Sequence, residues 1–203
     1  MWLMSYAKEF ATVDLLLESK SETRGVDAFA LSLIKAERQM RRLVTYLVYQ
    51  FPCFTQGDAE RLRDTLGKSR KVYFPGLERG FNALYPRSVS DLIGSGYDRL
   101  KRRLNDGGSH RNKIFHGQLT SEYLSRQELI GFVCDIRSWC NALASSALKE
   151  FQYDGFSRNS FQKSSIPNLD TRLKIQMKGL TDYEEFIRKH MDSPRRSQCK
   201  GPD

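Results

Sequence analysis

Two long stretches of apolar residues at helical spacing constrain the fold of this chain more than any other feature. In both, apolar side chains recur every three or four residues and so fall on one face of an α-helix. The first stretch is predicted to begin at Asp27 and is closed by Pro52. The second begins at Ser125, which forms a capping box with Glu128. The first face contains Phe29, Leu33, Ala36, Met40, Leu43, Leu47 and Phe51, and the second contains Leu129, Phe132, Ile136, Cys140, Leu143, Ala147 and Phe151.

Shorter segments with the same periodicity accompany these two helices. Residues 6–17 and 58–66 predict short amphipathic helices, and a further helix is predicted over 90–104 with Ser90 as its cap. Prolines and glycines interrupt residues 68–86, which predicts a packed loop with a turn or two of helix. Because no segment alternates like a strand, we expect an all-α fold, an up-and-down helical bundle of about four to five helices with a short C-terminal helical extension.

The composition of the chain changes after the second long helix. The bundle is predicted over residues 1–155, a basic and aromatic extension and linker over 156–180, a short helix over 181–191 and a disordered tail over 192–203. Aromatic side chains alternate with polar and basic ones over residues 153–163. This pattern suits stacking against RNA bases, and it equally suits anchoring of the extension to the bundle.

The net charge of +9 favours a polyanionic partner, such as RNA or an acidic protein. The hydrophobic fraction of 39% and the charged fraction of 28% are typical of a soluble globular protein. The four cysteines have no metal-ligand spacing and are expected to be reduced thiols, with Cys134 and Cys140 buried, and no metal or cofactor is predicted. The sequence shows neither a secretion signal nor a membrane-spanning run, so we expect a cytoplasmic protein with no membrane partner.

Residues 109–117 concentrate the side chains that are best suited to chemistry, including two of the three histidines. A glycine-rich sequence precedes Ser109, a predicted N-cap, and Gly117 is a predicted helix stop. The segment is therefore predicted to be a separate helix of about two turns, with Arg111 in its first turn and His116 in its last.

This placement suggests RNA cleavage. A helix N-terminus with an adjacent guanidinium is suited to a phosphate, and an imidazole can transfer a proton near neutral pH. In metal-independent cleavage the ribose 2′-hydroxyl attacks the neighbouring phosphorus and a cyclic phosphate is left. Arg111 would stabilise the added negative charge, and His116 would act as base or as acid.

Helix geometry limits how one chain can use both side chains. At about 100° per residue, Arg111 and His116 lie roughly 140° apart around a helix, whereas Asn112 and His116 share a face. Two copies across a two-fold axis would resolve this, since a shared cleft could take Arg111 from one chain and His116 from the other. We therefore expect a homodimer.

Residues 111–116, Arg-Asn-Lys-Ile-Phe-His, resemble the RX4-6H signature of HEPN domains, and Gly117 fits the same pattern. Those domains are small helical bundles, commonly dimeric, and many are metal-independent endoribonucleases of toxin–antitoxin and other defence systems. The resemblance covers roughly residues 1–155. It implies catalytic roles for Arg111 and His116, a polar positioning role for Asn112, RNA as substrate, and an antitoxin or defence-system protein as a further partner.

Other basic residues are predicted to contact RNA phosphates, and each has a plainer alternative. Arg102 and Arg103 precede the motif and equally complement a helix dipole, while Arg158 and Lys163 equally anchor the extension. Lys113 lies within the motif itself. Three further arginines on the first long helix, at positions 38, 41 and 42, suit guidance of RNA or simple solvation.

The motif also has a structural interpretation. Residues 111–113 suit a solvated basic turn, residues 114 and 115 suit core contacts, and His116 suits the end of a helix dipole. Because some HEPN relatives lack nuclease activity, the alternative function is a non-catalytic HEPN-like helical module that binds RNA or a partner protein.

Overall fold

The computed structural model describes residues 3–69, 71–115, 124–157 and 161–192, and within these ranges the chain forms helices and no strands. The α-helices in chain order are α1 (Leu3–Glu18), α2 (Arg24–Tyr49), α3 (Ala59–Lys68), α4 (Phe74–Leu84), α5 (Val89–Ile93), α6 (Tyr97–Phe115), α7 (Arg126–Phe151) and α8 (Leu180–Phe186). A single π-helical turn, Ile187–Met191, continues α8.

The two long helices, α2 and α7, pack against each other and form the centre of the molecule. The predicted apolar residues of both faces are buried. The ring centroids of Phe29 and Phe132 lie 5.4 Å apart, and the buried Gln39 amide donates to the Cys140 carbonyl oxygen at 3.0 Å. The prediction of an all-α helical bundle is confirmed, as is the capping box at Ser125 that starts α7.

Helices α1 and α4 pack on α2 from other sides. The apolar face predicted for α1 is confirmed, since Phe10 and Val13 are fully buried. Helix α2 begins at Arg24, three residues before the predicted cap, and Asp27 lies in its first turn, where it accepts a hydrogen bond from the Thr23 hydroxyl at 2.7 Å. Asp27 is therefore not the N-cap of α2, but it stabilises the first turn through this hydrogen bond.

The prediction of a packed loop with a turn or two of helix over residues 68–86 underestimated the helix, because α4 is a regular helix of 11 residues. Pro75 lies in its first turn, where a missing N–H costs no intrahelical hydrogen bond. Gly76 and Gly80 face the C-terminal segment, and a Cβ on either glycine would overlap Met191. These residues permit close packing rather than interrupting the helix.

The division of residues 88–116 into helices also differs from the prediction. Ser88, not Ser90, caps the short helix α5, because its hydroxyl accepts from the Asp91 amide at 3.1 Å. A 3-10 turn at residues 94–96 separates α5 from α6. Helix α6 then continues without a break to Phe115, so the motif does not begin a separate helix.

The glycine pair before the motif is helical. Ser109 is not an N-cap, since its hydroxyl donates to the Asn105 carbonyl oxygen one turn earlier at 3.2 Å. Gly107 is buried, and a Cβ there would lie 3.3 Å from a ring carbon of Phe29 and 3.5 Å from one of Phe132. The missing side chain lets α6 approach α2 and α7, whereas Gly108 faces open space.

The described part of the extension is anchored to the bundle. Tyr153 stacks on Tyr46 with ring centroids 4.6 Å apart, and the buried ring of Phe156 contacts Phe10. The π-helical turn that continues α8 packs on α4 through Met191. The domain boundaries given above stay predictions, and residues 193–203 of the predicted tail lie outside the described residues.

The described cysteines are free thiols. Cys140 is fully buried as predicted, and burial raises the pKa of its thiol. The burial predicted for Cys134 was wrong, because this residue lies on the exposed side of α7. No helix in the described ranges combines the length and apolar character needed to span a bilayer.

Candidate active site around Arg111

Arg111 lies near the C-terminal end of α6, with 35% of its side chain exposed. Fourteen residues at 1.5 Å each place it about 20 Å from the start of the helix. The predicted combination of Arg111 with a helix N-terminus was therefore wrong. Any phosphate bound here would be held by side chains, without help from the free amides of a first helical turn.

The Glu37 carboxylate joins Arg111 to the central helix. Its Oε2 atom lies 3.8 Å from Nη1 of Arg111, while its Oε1 atom accepts from Nε and Nη2 of Arg41 at 3.0 and 2.8 Å. Arg41 also donates to the carbonyl oxygens of Leu66 and Val72, at the end of α3 and in the turn that follows. The position of Arg111 is thus coupled to α2 and, through Arg41, to α3.

Only part of the predicted catalytic set can be located. Asn112 and Lys113 belong to the last turn of α6, but their side chains are not described. His116 and Gly117 lie outside the described residues. The proposed pairing of Arg111 with His116 accordingly stays a prediction.

His110 is the histidine that directly precedes Arg111, and sequence reasoning assigned it no role. Its ring packs edge-on against Phe132 with centroids 5.7 Å apart. Its Nδ1 atom is buried and has no hydrogen-bond partner within the described part of the chain. The contact follows from the close approach of α6 to α7 at the buried Gly107, which nothing in the local sequence indicates.

The predicted RNA-contacting cations upstream of the motif differ in their surroundings. Arg103 donates from Nε to Asp135 at 2.9 Å and lies over the Phe132 ring, 3.6 Å from its centroid. Arg102 is exposed and has no ion-pair partner among the residues that the structure describes. The helix-dipole alternative was wrong for both, because α6 continues well beyond them. Arg102 is therefore the more accessible of the two.

The Asp135 carboxylate holds α6 and α7 together. It pairs with Arg99 and Arg103, both on α6. Partial burial raises the pKa of this carboxyl, but the two arginines outweigh burial and lower it below its ordinary value. The ion pairs thus favour the charged carboxylate and fix the register between the helices.

Of the two predicted contacts in the extension, only Lys163 is described. Its ammonium donates to the Tyr49 and Phe51 carbonyl oxygens at the C-terminal end of α2, and it lies 4.6 Å from the centroid of the Tyr49 ring. These contacts fit the anchoring alternative. Arg158 lies outside the described residues.

Within the described ranges, no three His, Cys, Asp or Glu side chains are grouped as metal ligands. The candidate site therefore consists of Arg111 and its Glu37 contact. The exposed Arg102 lies nine residues earlier on α6, about 13 Å away along the axis and on roughly the opposite side of the helix, so the two guanidiniums do not face the same phosphate. The family resemblance rests on residues 111–116 and on the helical fold. Comparison with protein-family models, with curated proteins and with solved structures gave no match to this chain.

Proposed function

We propose that this protein is a metal-independent endoribonuclease of the toxin or anti-phage defence type that acts as a homodimer. It cleaves RNA by attack of a ribose 2′-hydroxyl on the adjacent phosphorus and leaves a 2′,3′-cyclic phosphate. The observation that most supports the proposal is the partly exposed Arg111 guanidinium near the end of the 19-residue helix α6, in the sequence that resembles RX4-6H.

In the proposed mechanism, Arg111 offsets the negative charge that builds up on the phosphorus oxygens. The 2′-oxygen loses a proton and the departing 5′-oxygen gains one, and His116 carries out one of these transfers as base or acid. Asn112 orients the imidazole or a phosphate oxygen. With the active site shared across the dimer, Arg111 and His116 come from opposite chains.

The surroundings of Arg111 are compatible with phosphate binding. The 3.8 Å separation from Glu37 exceeds a hydrogen-bond length, so this contact orients the guanidinium electrostatically and an incoming phosphate can compete with it. The exposed Arg102 on the same helix and the net charge of +9 favour approach of RNA.

The test is cleavage of a single-stranded RNA in excess EDTA by the wild type, Arg111→Ala and His116→Ala. We expect each variant to lose at least about 100-fold in kcat, the usual effect of removing a charge-stabilising group or a proton-transfer group. His110→Gln is the matched control for the imidazole, and we expect it to retain activity within a few fold. Arg102→Ala is the control for the guanidinium and should raise KM with little change in kcat.

The ends of the products provide an independent criterion. A 2′,3′-cyclic phosphate follows from attack by the ribose hydroxyl, whereas attack by a metal-activated water does not produce it. Undiminished cleavage by both Arg111→Ala and His116→Ala would remove the assignment, as would products without a cyclic phosphate.

A second candidate function is a non-catalytic helical module that binds RNA or a partner protein. The internal pairing of two predicted RNA contacts favours the partner-protein form of this alternative, since Arg103 is bound to Asp135 and Lys163 to the end of α2, and neither charge is fully available to RNA. RNA binding without cleavage, unchanged in His116→Ala, would identify this function.

A further inference from the structure

A concave site lies between α2, α3 and the segment that contains Phe161. Its volume is about 390 Å³. Arg38, Arg41 and Arg42 line it from one face of α2, and Arg63 lines it from α3. Binding sites for small molecules have volumes of this order.

The charge of this site is strongly positive. Among the residues that the structure describes, four guanidiniums line it and no carboxylate does. Glu9 pairs with Arg38 at 3.2 Å and Glu37 pairs with Arg41 at 2.8 Å, both from outside the cavity lining. Since Glu9 also pairs with Lys35 and Glu37 also contacts Arg111, these two carboxylates leave an excess of at least two positive charges among the four guanidiniums.

Arg42 and Arg63 carry this excess, because within the described ranges neither has a carboxylate partner. Arg42 donates from Nη1 to the Phe156 carbonyl oxygen at 2.9 Å, which orients the guanidinium without neutralising it. Arg63 is exposed and lies over the Phe161 ring, 4.2 Å from its centroid. Both charges are held by packing on the protein and are available to an anion.

Besides the guanidiniums, the lining contains Thr45, Gly67 and two apolar side chains. Leu66 on α3 and the ring of Phe161 line the cavity beside the guanidiniums. The stack of Arg63 on Phe161 presents a planar surface. A ligand that matches this lining has a doubly charged head and an apolar or planar body.

We propose that this cavity binds a small phosphomonoester with an apolar or planar organic part. Its phosphoryl dianion lies between Arg42 and Arg63, with Arg38 and Arg41 at the rim, and its organic part lies against Leu66 and Phe161. Guanidiniums recognise phosphoryl oxygens by paired, charge-assisted hydrogen bonds. The inference does not depend on the ribonuclease assignment.

The test is calorimetric titration of the full chain at pH 8, where a phosphomonoester is doubly charged, with three probes at equal ionic strength: inorganic phosphate, glycerol 1-phosphate and phenyl phosphate. We expect phenyl phosphate to bind several-fold more tightly than the other two. Arg42→Gln and Arg63→Gln should each weaken its binding at least tenfold. Arg61→Gln is the matched control, since Arg61 lies on the same helix, is 66% exposed and does not line this cavity.

Other outcomes would overturn the proposal. Equal affinity for phenyl phosphate and inorganic phosphate would remove the role of the apolar wall. Equal weakening by Arg61→Gln and Arg63→Gln would show a general charge effect rather than a site. Tight, salt-dependent binding of an oligoribonucleotide through Arg42 and Arg63, with no detectable binding of phenyl phosphate, would identify the cavity as part of an RNA surface instead.

Discussion

Glu37 lies beside Arg111, with Oε2 of the carboxylate 3.8 Å from Nη1 of the guanidinium, and its other oxygen is bound by Arg41. The arginine of the candidate active site is therefore held by an acidic residue of the central helix. A carboxylate beside an active-site arginine orients the guanidinium. It also competes with the substrate phosphate for the same positive charge. The balance between these two effects can be measured.

Glu37→Gln removes the negative charge that competes with RNA for Arg111. The pair is partly exposed, and an ion pair in contact with solvent contributes up to about 1 kcal/mol, so we expect KM for RNA to fall by as much as about fivefold. Steady-state kinetics with a short RNA checks this, with Glu185→Gln at an exposed position of α8 as the control. An increase in KM would mean that orientation of Arg111 by Glu37 outweighs the competition.

Replacement by alanine should affect the stability of the protein differently at the two adjacent glycines of α6. A Cβ at Gly108 meets nothing within 4 Å, so Gly108→Ala should gain helix propensity and stabilise the protein by about 1 kcal/mol. This corresponds to a Tm increase of about 2–4 °C for a chain of this size. Gly107→Ala, against Phe29, should gain less or destabilise. The thermal unfolding temperatures of both variants test this prediction. An equal increase in Tm at both positions would contradict the packing of α6 against Phe29 and Phe132.

The ion pairs of Asp135 should make stability depend on pH. Because the folded-state pKa of this carboxyl is lowered, its contribution is present above the ordinary pKa of about 4 and is lost as the pH falls through the lower folded value. Asp135→Asn should lower the free energy of unfolding by about 1 kcal/mol at pH 7. The loss should become progressively smaller below pH 4.

Urea unfolding between pH 7 and pH 2.5 measures this difference. Asp64→Asn serves as the control, since Asp64 is 57% exposed and 3.8 Å from Lys68. A cost for Asp135→Asn that stays the same at every pH would show that shape, not charge, explains the effect.

The packing of Met191 against α4 leaves no room for a side chain at Gly76. A Cβ there would lie 2.1 Å from the Met191 carbonyl oxygen, so the C-terminal segment must shift. We expect Gly76→Ala to destabilise by about 1–3 kcal/mol and to speed amide exchange in residues 180–191. Gly67→Ala, which meets nothing within 4 Å, should leave that exchange unchanged. Unaltered exchange in Gly76→Ala would mean that the segment is not held there.

The fold was predictable where local periodicity and tertiary packing agree. The apolar faces of α2 and α7 are each long enough to specify a buried helix from sequence alone. The predicted helix break before Ser109 was wrong at Gly107. Glycine has a low helix propensity, but here it is helical because the missing side chain lets Phe29 and Phe132 approach the helix. That contact joins distant parts of the chain and leaves no local signal.

The candidate site was predictable only as a motif. The residues at 111–116 identify the chemistry to look for, but not the Glu37 carboxylate, which comes from another helix. The same limit applies to the arginine cavity. Sequence spacing shows that Arg38, Arg41 and Arg42 share a helix face, yet it cannot show that Arg63 and Phe161 close the other side.

The Lys163 ammonium provides a cation at the C-terminal end of α2, because it donates to the Tyr49 and Phe51 carbonyl oxygens. Acetylation of this lysine would cancel the charge and remove two of its three N–H donors. The C-terminal carbonyls of α2 would then lose their cation, and the extension would lose a point of attachment. Loss of this one charge would in this way weaken both the end of α2 and the attachment of the extension without altering the sequence.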